Sequence, residues 1–300
     1  MTAPLVIGVD VGGTKILSGV VDREGTVLER HLIESPGSSE QDVLAALDSA
    51  VETLLDDRTG GIGFGVPANL ERGSGRILRA TNLPLDSFDL AAHARARFGL
   101  PVGVENDANA ATLAEWKLGA GRGASNLVML TLGTGVGGGI VLDGRLYRGW
   151  AEIGHMVVQV GGPPCQGNCH GRGHLETLAS GSAADRVARE LWGQEADART
   201  LVERAQEGVE EALAALDDFA EVLGAAIGSL ANLFDPDVVV VGGGFGEAIE
   251  PILAPAQEAA RRQALAPADT TLRVVSALLG TDAGLVGAGL VGFEALDGAW

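Results

Sequence analysis

Leu5–Val11 is an apolar run rich in β-branched side chains, interrupted only by Gly8 and Asp10, and predicts a buried strand. Gly12 and Gly13 turn the chain. Lys15–Asp22 alternates as a second strand, Asp22–Gly25 forms a turn, and Thr26–Ile33 reads as a third strand. Ser39 and Asp42 have capping-box spacing, and Val43, Leu47, Val51 and Leu54 then recur at helical intervals. Gly60–Val66 returns as a strand. Three strands, a helix and a strand make an α/β pattern.

The opening recurs further along. Leu127–Leu132 is an apolar run, Gly133–Gly139 a glycine loop, Ile140–Leu142 a strand, and Asp143-Gly144 a hairpin-turn signal. Such repetition predicts two related α/β halves facing each other across a cleft. Between them, Ala108–Gly119 fits a helix with Ala111, Ala114 and Leu118 inward. The junction is placed there, giving domains of residues 1–117 and 118–300. The last third reads as helical with one strand. Phe219, Leu223, Ile227, Leu230 and Phe234 mark a helix ended by Asp235-Pro236. The strand Val238–Val241 runs into Gly242–Gly246, and Thr281–Leu290 has the small residues of a tightly packed closing helix. Glu203–Asp218 reads as a solvated helix face.

Composition narrows the function. The 300 residues are 46% hydrophobic, enough for a sizeable core. With 21 basic and 40 acidic residues the net charge is −19. That argues against a nucleic-acid binder and against a surface held on anionic lipid, but not against a small anion held by backbone amides. Two cysteines cannot staple a chain of this size and point to a reducing compartment. Met1–Pro4 lacks the features of a secretory leader, so a cytoplasmic location is expected. The longest uncharged stretch, Gly123–Leu142, is too interrupted by glycine for a membrane helix.

Three of the apolar runs end in glycine loops: Asp10–Thr14, Gly133–Gly139 and Gly242–Gly246. Glycine lets backbone amides approach a phosphate, and three such loops favour a nucleotide. Neither Lys15 nor Lys117 follows a glycine, so this is no P-loop. Gly133-x-Gly135-x-x-Gly138 matches a dinucleotide fingerprint but leads into a hairpin rather than a helix. Asp10 reads as an acid beside a metal–nucleotide complex or as a turn former. Glu105-Asn106-Asp107 follows the strand-like Val102–Val104 and opens a helix. These residues either line a site, where a carboxylate accepts a proton from a sugar hydroxyl, or cap the helix.

Glu152, His155, Cys165, Cys169, His170, His174 and Glu176 fall close together. Cys165-x3-Cys169 lies in the zinc range, and His155 with His174 completes a closed two-Cys, two-His set of structural type; His170 is the alternative fourth ligand.

Together these motifs resemble the ROK family of sugar kinases and sugar-responsive repressors, especially its bacterial glucokinases. The residues carrying the resemblance are Gly8–Lys15, Glu105–Ala110, Leu132–Gly139, Glu152–Met156 and Cys165–Glu176, in the family's order over nearly the whole chain. The resemblance implies an actin-like ATPase (ribonuclease H-like) fold. It implies Asp107 as general base, Asn106 and Asp107 on the sugar, and Glu152, His155 and Glu176 holding it. Asp10, Gly12, Gly13, Thr14 and Lys15, with Gly133, Thr134 and Gly135, would flank the ATP phosphates. Gly242, Gly243 and Gly244 would lie near the nucleoside. Mg²⁺ would accompany ATP, and a structural Zn²⁺ would sit on His155, Cys165, Cys169 and His174.

The chain departs from the family pattern in several places. The family's Cys-x-Cys-Gly-x-x-Gly-Cys-x-Glu segment has His170 at the Gly position and His174 in place of the third Cys. Ala151 precedes Glu152 where Gly is common, and Pro67-Ala68 replaces Pro-Gly in a sugar loop. Thr81-Asn82-Leu83-Pro84 keeps the look of the loop beside the sugar. The expected activity is ATP-dependent phosphorylation of the 6-hydroxyl of glucose by a homodimer. Fructose, mannose or N-acetylmannosamine as substrate, and polyphosphate as donor, are the alternatives. A repressor carries a DNA-binding domain ahead of the first loop, and a strand starting at Leu5 with a charge of −19 argues against one.

Overall fold

The computed structural model describes residues 4–37, 39–80, 83–166 and 169–299. They form two compact units: residues 1–118 with 148–150 and 281–300, and residues 119–147 with 151–280.

The first unit begins with β1 (Leu5–Val11), β2 (Lys15–Val21) and β3 (Val27–Glu34). Helix α1 (Glu40–Glu52) follows, capped by the Ser39 hydroxyl accepting from the Asp42 N–H, and buries Val43, Leu47 and Val51. Next come β4 (Thr59–Val66), the small β5–β6 hairpin (Ala68–Leu70 and Ile77–Ala80), α2 (Leu90–Phe98), β7 (Val102–Asn106) and α3 (Asp107–Lys117). The sheet order is β3-β2-β1-β4-β7, with β1, β4 and β7 parallel and the two hairpin strands antiparallel.

The second unit repeats that plan. Strands β8 (Leu127–Leu132), β9 (Val136–Leu142) and β10 (Arg145–Leu146) form its antiparallel part. The helices α4 (Leu175–Ala179), α5 (Gly181–Trp192), α6 (Ala198–Gln206) and α7 (Glu210–Phe234) precede β11 (Val238–Gly242). After it come α8 (Gly244–Ala248), α9 (Leu253–Gln263), α10 (Ala268–Thr271) and β12 (Val274–Ser276). The order β10-β9-β8-β11-β12 places the strands in the same sequence and directions as in the first sheet. The repeated glycine-turned hairpin in the sequence thus heads a duplicated sheet.

The closing helix α11 (Ala283–Leu296) belongs to the first unit, so the domain boundary read as 1–117 and 118–300 is corrected at the C-terminus. It packs on β1, β4, β7 and α3. Small residues permit this: a Cβ at Gly63 would stand 1.9 Å from the Ala288 carbonyl oxygen. Two further readings are corrected. Strand β9 starts at Val136, not Ile140, because Gly137–Gly139 pair with Met129–Thr131 inside the ladder and leave only 133–135 as the turn. The last third holds two strands, since the three-residue β12 is too short to show in the hydrophobic pattern. The acidic stretch 203–218 is divided between α6 and α7 with Gly208, at φ +80°, in the turn. No helix among the described residues is long and apolar enough to cross a membrane.

Candidate functional site

In the first unit, β1 delivers Asp10 to the mouth of the turn 12–14, which closes through the Gly12 N–H to the Lys15 carbonyl (2.8 Å). Gly13, Thr14 and Lys15 are exposed. The Asp10 carboxylate faces the head of α11 so closely that a Cβ at Gly284 would come within 2.4 Å of it. Burial first, and then the nearby Asp107 carboxylate, push Asp10 up to about 7.

Strand β7 ends in Glu105 and Asn106, and Asp107 opens α3. The Asn106 side chain is the helix cap, accepting from the Asn109 N–H (3.1 Å), while its amide nitrogen donates to the Ala68 carbonyl (3.4 Å). Asp107 accepts from the Ala108 N–H at 2.9 Å. Of the two candidate caps, Asn106 is therefore the N-cap and Asp107 the first residue of α3. Pro67-Ala68 touches this turn through Ala68. In the other loop read as flanking the sugar, Leu83 is buried, while Thr81 and Asn82 lie outside the described residues.

In the second unit, the β8–β9 turn at Gly133–Gly135 abuts the start of α5, whose Gly181 N–H donates to the Gly133 carbonyl (2.8 Å). Gly243, with φ +84°, packs so tightly that a Cβ there would stand 2.5 Å from the Leu132 carbonyl oxygen. The two glycine segments 133–135 and 242–244 thus meet beside a cavity of about 750 Å³. Gly133, Thr134 and Gly244 line it, together with Ser182, Arg199 and Glu203. Sequence reasoning missed the α5 and α6 walls. The available signal was the helical spacing of Arg199, Val202, Glu203 and Gln206, which all face the cavity.

Residues 157–166 and 169–174 are joined by bridges between Val157 and His174 and between Pro164 and Arg172. One ligand atom each from His155, Cys165, Cys169 and His174 lies within 4.8 Å of the others. A tetrahedral zinc site with its usual bond lengths needs separations of about 3.3–3.8 Å, so the four side chains fit a metal after small adjustments. Burial, and then the adjacent Cys169, push the Cys165 thiol up. His170 is not in this group.

The same segment leads into α4, where Glu176 accepts a hydrogen bond from the Val136 N–H (3.0 Å). A Cβ at Gly135 would stand 2.2 Å from this carboxylate, so a side chain there would displace the Glu176 carboxylate. Glu152 precedes the 3₁₀ turn Ile153–His155, and its carboxylate lies 3.8 Å from His155 Nδ1.

Comparison with known proteins agrees with these motifs. The glucokinase of Streptomyces coelicolor is 35% identical, aligned over 95% of this chain and 96% of its own. The crystal structure of a ROK family glucokinase from Streptomyces griseus in complex with glucose and AMPPNP superposes with a TM-score of 0.84 at 34% identity, covering 97% of this chain and 99% of that one. A ROK hexokinase structure from Thermus thermophilus gives a TM-score of 0.82 at 37% identity, with 98% and 99% covered. The duplicated sheets are those of the actin-like ATPase fold. With the ROK family profile matching residues 6–292, the chain belongs to the ROK family.

Proposed function

We propose that the protein is an ATP-dependent hexose kinase that phosphorylates the 6-hydroxyl of glucose. The observation that carries this reading is the near-full-length likeness to a glucokinase crystallised with glucose and an ATP analogue. Asn106, Asp107, Glu152, His155 and Glu176 are assigned to the sugar. The amides of 12–14 and 133–135 are assigned to the phosphates, and the cavity beside Gly244 to the nucleoside.

Asp107 acts as general base. It takes the proton of the 6-hydroxyl as that oxygen attacks the γ-phosphorus, and the bond from the γ-phosphorus to the β–γ bridging oxygen breaks to release ADP. The base contributes about 10²–10⁴-fold and positioning most of the rest. The cap that Asn106 places on α3 fixes the direction of the carboxylate. Asp10, raised in pKa beside a second carboxylate, has the donor chemistry to hold Mg²⁺, which neutralises phosphate charge when bound. His155, Cys165, Cys169 and His174 are assigned to one Zn²⁺. Four protein ligands would leave no open position, so these residues would use the metal to order the segment that carries the chain to Glu176 rather than for hydrolysis.

The test is a panel of glucose, fructose, mannose and N-acetylmannosamine against ATP and polyphosphate, read by phosphorylated product. Glucose with ATP should give the highest kcat/KM. No product from any hexose with ATP would remove the proposal, and a preference for another sugar or donor would correct its substrate.

A further inference from the structure

The reaction assigned above leaves Arg148 without a role, yet its side chain joins the end of β7 to α11. Its Nε donates to Glu105 Oε2 at 2.9 Å, and its terminal nitrogen donates to the Glu294 carboxylate on α11. Glu105 is almost fully buried, with 5% of its side chain exposed. Its other oxygen accepts from the Asn106 N–H (2.9 Å) and from the Asn109 side-chain amide (3.1 Å). Both oxygens of this carboxylate are therefore committed, one to the turn that presents Asn106 and Asp107, the other to Arg148.

A buried carboxylate is costly to keep charged unless it is paired and hydrogen-bonded. Among the described residues Arg148 is the one cation bonded to Glu105, and it also holds Glu294. Arginine suits the task because its planar fork sends donors to two carboxylates in fixed directions, which a lysine cannot do. Arg148 itself is anchored. Residues 148–150 belong to the first unit although the chain on either side belongs to the second, and Trp150 Nε1 donates to the Leu70 carbonyl at 3.3 Å. That strap ends two residues before Glu152.

We propose that Arg148 is a positioning residue for phosphoryl transfer, acting through Glu105 to fix the Asn106–Asp107 turn against α11. The inference rests on the proposed role of Asp107. Arg148 touches neither sugar nor nucleotide in this account, so its effect falls on the placement of the base. A misplacement of about 1 Å at a reacting group costs up to roughly 10²-fold in rate.

The experiment compares the parent with Arg148→Met, Arg148→Lys and the double variant Glu105→Gln/Arg148→Met, measuring kcat, KM for ATP and melting temperature. Arg148→Met should lower kcat at least about tenfold with KM for ATP within about twofold, and should also lower the melting temperature. Arg148→Lys, keeping the charge but not the fork, should recover part of the rate. The double variant separates positioning from stability. It removes the buried charge with its partner, so the melting temperature should return toward the parent while kcat stays low. Recovery of kcat together with melting temperature would overturn the proposal, as would a folded Arg148→Met with parental kcat. If the Met variants do not fold, Arg148→Lys decides: lowered kcat at near-parental melting temperature supports the proposal, and parental kcat overturns it. A parent without hexose-dependent ADP release removes the proposed function and this inference together. A parent that turns over alongside equally active variants removes the inference alone.

Discussion

The carboxylate of Glu176 accepts a hydrogen bond from the backbone N–H of Val136, 3.0 Å away. A residue assigned to the sugar is thereby tied to the end of a loop assigned to the phosphates. One oxygen holds the loop, and the proposed sugar contact falls to the other.

Glu176→Gln tests this division. An amide presents only one acceptor, so it either keeps Val136 and offers a donor to the sugar or does the reverse. Hydrogen bonds to charged groups contribute about 1.5–3 kcal/mol, so glucose affinity should fall about tenfold or more. Calorimetric titration with glucose is the check, and unchanged affinity would remove Glu176 from the sugar site.

Metal removal should act on the same region. Purified protein free of any tag should contain one zinc per chain. Chelation should lower the melting temperature and weaken glucose binding more than nucleotide binding, because the ligand segment leads to Glu176 rather than to the 242–244 loop. Cys169→Ser should behave like the chelated protein. A zinc-free preparation with full activity and an unchanged melting temperature would show that the four side chains hold no metal.

Asp10 predicts a pH dependence with a definite sign. Its pKa rises from 3.8 to about 7 in the folded chain, chiefly by burial. Between those values the folded state binds more protons than the unfolded one, so this group's contribution to stability is full below about pH 4 and is lost as pH rises through 7. In chelator, Asp10→Asn should therefore melt several degrees above the parent at pH 8 and nearly with it at pH 4.5. An equal difference at both values would contradict the raised pKa. The same variant should lose most kinase activity, since the amide is a poor ligand for magnesium.

The strands of both hairpins were legible because alternation and glycine turns are local signals. So was α1, where Ser39 caps and Val43, Leu47 and Val51 face inward. Other features were not legible, for tertiary reasons. Gly137–Gly139 look like loop residues, but the pairing with Met129–Thr131 makes them strand. The closing helix carries no mark of its partner, and its return to the first sheet shows in tertiary fits such as Gly63 under Ala288 and Gly103 under Val291. The α5 and α6 walls of the cavity beside Gly244 show in the sequence only as the helical spacing of Arg199, Val202, Glu203 and Gln206, which does not say what that face surrounds. Among the assigned chemical groups, Asp10, Asn106, Asp107 and the two-Cys, two-His set were readable from residue type and spacing. Arg148 was not, since its partners Glu105 and Glu294 stand 43 and 146 residues away in the chain.

The central claim is that Asp107 is the base of a glucose kinase, and the steady-state kcat of Asp107→Asn with glucose and Mg-ATP tests it most directly. The amide keeps the shape of the carboxylate and can still accept from the Ala108 N–H, but it cannot take the hydroxyl proton. The account predicts a fall of about 10²-fold or more in kcat, with glucose binding retained in calorimetry. A variant that phosphorylates glucose within a few-fold of the parent would show that Asp107 serves only to start α3.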